Sequence, residues 1–129
     1  MSDLDLTHEL ALALDVADTV DAYTLPNFHE ADFAVDWKRN LTEVTEIDRT
    51  AEHMIVARLT HERPGHGVFG EEHGHAGDHE SPWRWVIDPI DGTSGFVRGV
   101  PIWATLIALT HAERGAVVGV VSAPALGRR

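Results

Sequence analysis

The run Trp85-Val86-Ile87-Asp88-Pro89-Ile90-Asp91-Gly92-Thr93 constrains the fold more than any other stretch of the chain. Trp85 to Ile87 is apolar and predicts a buried strand ending at Asp88. Asp91 follows, and Gly92-Thr93 can open a helix. Carboxylates at a strand end and a helix start are costly to bury without a cation between them. The Gly92 and Thr93 backbone N–H groups would project from the helix mouth, where an anion binds well. One stretch therefore offers a divalent-metal site and, beside it, a phosphate site.

The remaining segments read as support for that stretch. Leu6, Leu10, Ala13, Ala17 and Val20 mark an amphipathic helix with Asp3 or Asp5 near its start, kinked or ended by Pro26. Phe33, Val35 and Trp37 alternate as in a short strand or extended segment, and Lys38 follows. Thr45-Glu46-Ile47-Asp48 has the form of a capping box with Asp in place of Glu. Behind it Ile47, Ala51, Met54, Ile55 and Leu59 mark a second helix, stopped by Pro64-Gly65. Val68-Phe69 reads as a short strand closed by Gly70, with Glu71 and Glu72 at its end. His73 to Pro82 reads as a polar loop, in which His73, His75 and His79 are candidate transition-metal ligands with no second cluster to complete a site. Thr93 to Arg98 predicts a short helix. Ile102–Leu109 and Ala116–Val121 predict an antiparallel pair around a turn at His111–Gly115. The expected class is α+β: two N-terminal helices packed on a mostly antiparallel sheet.

Composition narrows the chemistry. The 129 residues suffice for one domain with a core. The absence of cysteine excludes disulfides, thiolate zinc sites and a cysteine nucleophile, and fits a cytoplasmic setting. A net charge of −11 opposes binding to nucleic acid or to an anionic membrane, and suits divalent cations. No apolar run is long enough to span a bilayer, and the first residues do not form a signal peptide.

Three motifs then stand in order: Val44-Thr45 followed by Asp48, Gly70-Glu71-Glu72, and Asp88-Pro89-Ile90-Asp91-Gly92-Thr93 with Phe96. Together they resemble the signatures of the inositol monophosphatase family of magnesium-dependent phosphatases, with Lys38 where that family often has a basic residue. The stretches Phe96–Leu109 and Val118–Arg129 are similar to its actinobacterial histidinol-phosphatase branch, which serves a late step of histidine biosynthesis. The resemblance covers residues 1–129 but only the first half of a family member. It implies the first half of an αβαβα layered fold, without the C-terminal half that carries another metal-binding aspartate in the family, and a homodimer at full length. Ser94-Gly95 and Glu43 depart from the usual pattern, and Gly95 loosens the helix start.

What the resemblance implies is a magnesium-dependent phosphate monoester hydrolase. Glu71, Asp88, Asp91 and the Ile90 carbonyl would hold two or three Mg2+ ions. Thr93, backed by Asp48, would orient the attacking water, and Glu72 would act one layer further out or at a third ion. The Gly92 and Thr93 amides would hold the phosphate. The substrate would be a small phosphate monoester: histidinol phosphate, or alternatively inositol 1-phosphate. A chain of this length could equally be a non-catalytic metal-binding fragment, expected to unfold in part or aggregate through an exposed sheet edge.

Overall fold

A computed structural model describes residues 5–37 and 43–129; Asp3 and Lys38 lie outside the described residues. The first helix, α1, spans Thr7–Glu30. Its first turn is tied down by Asp5, whose Oδ1 accepts from the Thr7 N–H at 3.0 Å and from the Thr7 hydroxyl at 2.6 Å. Pro26 does not end it; the helix continues through Phe28 to Glu30. A mid-helix proline costs about 3 kcal/mol. Burial of Phe28 against Phe96 and Trp103 offsets that cost.

Two short strands, β1 (Val35–Trp37) and β2 (Glu43–Thr45), pair antiparallel ahead of α2 (Glu46–Glu62). The capping box is formed as the sequence suggests: Asp48 N–H donates to Thr45 Oγ1 at 3.1 Å, and Thr45 N–H donates to Asp48 Oδ1 at 2.8 Å.

Five strands make the main sheet: β3 (Gly67–Gly70), β4 (Gly74–Gly77), β5 (Trp83–Asp91), β6 (Ala104–His111) and β7 (Gly115–Ser122), in the order β4-β3-β5-β6-β7. A five-residue helix, α3 (Thr93–Val97), separates β5 from β6. The sheet is mixed: β3 and β5 run parallel, and the other neighbours are antiparallel. β6 runs from Ala104 to His111 rather than from Ile102 to Leu109, and two further boundaries differ from the sequence reading. Gly74–Gly77 is a strand, not loop, because its backbone pairs with β3 although its side chains carry no strand signal. And β5 continues past Asp88 to Asp91.

The helices cover one face of this sheet. Leu12, Val16 and Val20 of α1 and Ile55 and Leu59 of α2 pack with Val68, Trp85, Ile87, Ile107 and Leu109. A second cluster, Phe28, Ile47, Ile90, Phe96 and Trp103, lies under α3. On the opposite face Phe69, Val86 and Val121 stay exposed.

Candidate metal and phosphate site

Strand register explains why three carboxylates meet. The parallel pairing sets Gly70 opposite Ile87, so Glu71 leaves β3 where Asp88 stands on β5. In a regular strand Asp88 and Asp91, three positions apart, would point to opposite faces. Here the register against β6 shifts between them: Asp88 faces Leu106 and Asp91 faces Ala104, so one surplus residue is accommodated in β5. This β-bulge restores the two aspartates to one side. Pro89 suits it, since proline has no N–H to give to a ladder, and its carbonyl accepts from Thr105 Oγ1 at 2.8 Å.

The electrostatics record the convergence. Asp88 is half-buried, and its carboxyl is pushed up to about 7. Burial is the largest cause, followed by a hydrogen bond to the Glu71 side chain and the negative charges of Glu71 and Asp91; a hydrogen bond from the Ile90 N–H pulls the other way. Asp91 itself is exposed. Among the described residues, no three His, Asp or Glu side chains close a cation cage unaided. The two observations agree: Asp88 meets Glu71 directly and feels Asp91 through its charge, whereas a closed cage requires three side chains in ligand contact.

The second wall is built on α2 and α3. Asp48 is buried at 1% exposure. Its Oδ1 serves the capping box, and its Oδ2 accepts from the Thr93 hydroxyl at 2.7 Å. The Ile90 carbonyl oxygen lies 3.1 Å from the same hydroxyl. Gly92 adopts φ +91°, and a Cβ there would stand 3.0 Å from the Ile102 carbonyl oxygen, so glycine is required at this turn. α3 is too short for an appreciable helix dipole. Any anion there would rely on the individual amides of Gly92 and Thr93.

Glu72 follows Glu71 in the β3–β4 turn, and its N–H donates to Glu52 Oε1 at 2.8 Å. Glu52 is the residue that sequence reasoning missed. It is wholly buried, yet it sits beside Ala51 on a helix where it reads as an ordinary solvated glutamate. The available signal was its position one helical turn after Asp48. The histidines do not gather: His73 Nδ1 meets Glu52 Oε2, while His75 and His79 face each other with ring centroids 5.4 Å apart.

The chain belongs to the inositol monophosphatase family, whose sequence profile matches residues 5–129. Within that family it is 52% identical over 128 residues to the histidinol-phosphatase of Streptomyces coelicolor, covering 97% of this chain and 47% of that protein. It is 50% identical over 121 residues to the histidinol-phosphatase of Mycobacterium tuberculosis, covering 94% and 46%. Among solved structures, the extragenic suppressor protein suhB of Bartonella henselae superposes with a TM-score of 0.86 at 28% identity, over 93% of this chain and 46% of that one. The chain thus spans about half the length of the relatives it matches.

Proposed function

We propose that this chain is the metal- and phosphate-binding part of a magnesium-dependent phosphate monoester hydrolase acting on histidinol phosphate. The observation that carries the reading is the meeting of Glu71, Asp88 and Asp91 at adjoining strand ends, beside the Asp48–Thr93 pair. The similarity to two histidinol-phosphatases supports the substrate.

The donor set fits the group. Magnesium prefers hard oxygen ligands, and Glu71, Asp88, Asp91 and the Ile90 carbonyl are the residues that would hold it. When bound, two or three such ions supply charge neutralisation for the ester and lower the pKa of a nearby water. The protein's own groups do the rest. Asp48 accepts a hydrogen bond from the Thr93 hydroxyl, which leaves the Thr93 oxygen lone pairs free to accept from, and so orient, a water. The Gly92 and Thr93 amides donate to the phosphate oxygens. Glu72 would act one layer further out or at a third ion. No covalent intermediate is required.

Phosphate release from histidinol phosphate and from inositol 1-phosphate, with and without magnesium, tests this in the 129-residue chain and in a chain extended past Arg129. Magnesium-dependent release, fastest on histidinol phosphate, is expected from the longer chain. Asp88→Asn should abolish it, and Thr93→Ala should lower kcat by about 100-fold. A longer chain with no metal-dependent release from either ester would sink the proposal. Coverage of about half of each relative favours low turnover for the 129-residue chain alone.

A further inference from the structure

Glu52 lies on the inner face of α2, between Ala51 and Ile55, and none of its surface reaches solvent. A carboxylate so placed costs several kcal/mol unless its oxygens are fully engaged. They are engaged by the β3–β4 turn. Glu72 N–H donates to Oε1 at 2.8 Å and lies 3.1 Å from Oε2. His73 N–H donates to Oε2 at 2.5 Å, and His73 Nδ1 lies 2.5 Å from the same oxygen. Gly70 opens the space for this: a Cβ there would come within 2.5 Å of Glu52 Cδ.

The turn held in this way is the one that carries Glu71 to Asp88. One turn earlier on the same helix, Asp48 holds Thr93. The first half of α2 therefore grips both walls of the site, one through each carboxylate. We propose that Glu52 is a positioning residue for cation binding: by accepting the Glu72 and His73 N–H groups it fixes the turn so that Glu71 stands against Asp88. This rests on the reading of Glu71 as a cation ligand. The Glu52 oxygens are taken up by the turn, so its part is to hold Glu71 in place through the backbone.

The test uses Mn2+ alone, titrated into the 129-residue chain and followed by loss of the free-ion electron paramagnetic resonance signal. The chains compared are unsubstituted, Glu52→Gln, Glu71→Gln and the double variant, all below their melting temperatures. Glutamine keeps one oxygen acceptor and turns the other position into a donor facing donors. Glu52→Gln is expected to weaken Mn2+ binding by about 10- to 100-fold, the usual effect of losing a group that orients a ligand. Because Glu52 works through the turn, its effect should largely disappear in the Glu71→Gln background. If Glu71→Gln weakens binding and Glu52→Gln does not, the positioning role is overturned while the cation reading stands. Equal losses from Glu52→Gln in both backgrounds also overturn it, since they indicate a general effect on the fold. If Glu71→Gln leaves affinity unchanged, the cation reading fails and the inference with it. Should Glu52→Gln not fold, Gly70→Ala, which displaces the carboxylate but keeps its charge, takes its place with the same outcomes. Rapid hydrogen exchange at the Glu72 and His73 amides of the unsubstituted chain would overturn the role outright.

Discussion

His66 shows how a single side chain sets a pH dependence. Its Nδ1 accepts from Trp85 Nε1 at 3.1 Å, and its ring stacks on Trp83 at 5.8 Å. Burial, helped by the nearby Arg63 charge and opposed by Glu9, holds its pKa below the ordinary value of 6.5. The unfolded chain therefore protonates first as pH falls through about 6.5, and the fold loses stability from there downward until His66 also protonates in the folded state. Urea midpoints at pH 7.5 and 5.5 should fall further in the unsubstituted chain than in His66→Phe; equal falls would refute the assignment. At this scale the sequence was informative where chemistry repeats locally. Asp88, Asp91 and Glu71 stand out because acidic residues directly after apolar runs have few structural uses. Glu52 does not stand out, since its value lies in three donors brought by a turn some twenty residues further along.

Elements were legible to the extent that their own residues dictate them. α2 was, from Thr45 to its stop at Pro64-Gly65, and the capping box is the reason its start is sharp. Thr45→Ala should cost about 1–2 kcal/mol in urea unfolding, since it removes the cap of a buried helix end; a loss under a few tenths would mean water replaces the hydroxyl. β4 was not legible, because Gly-His-Ala-Gly forms a strand only when β3 offers its edge. Nor was the parallel pairing of β3 with β5, which depends on contacts distant in sequence. Nor was the bulge in β5, since the sequence reading ends that strand at Asp88, and only the register against β6 shows that one surplus residue turns both aspartates the same way.

At the scale of the molecule, helices cover one face of the sheet and leave Phe69, Val86 and Val121 exposed on the other, Val121 at 58%. Apolar area left in water favours association. Analytical ultracentrifugation of the 129-residue chain should show concentration-dependent self-association, reduced by Val121→Lys; a monomer at all concentrations would contradict this. No helix among the described residues is long and apolar enough to cross a membrane. One further arrangement matters for how such a chain comes into being. Apart from α2, the main partners of α1 are β6 and β7, and Arg129 closes the bundle by reaching Asp18 and Asp21 at 2.7 and 2.8 Å. α1 thus has its seat completed by β6 and β7, which follow it in synthesis after every other strand of the sheet. Nascent α1 must wait, with part of its greasy stripe unprotected, until translation has delivered the β6–β7 hairpin.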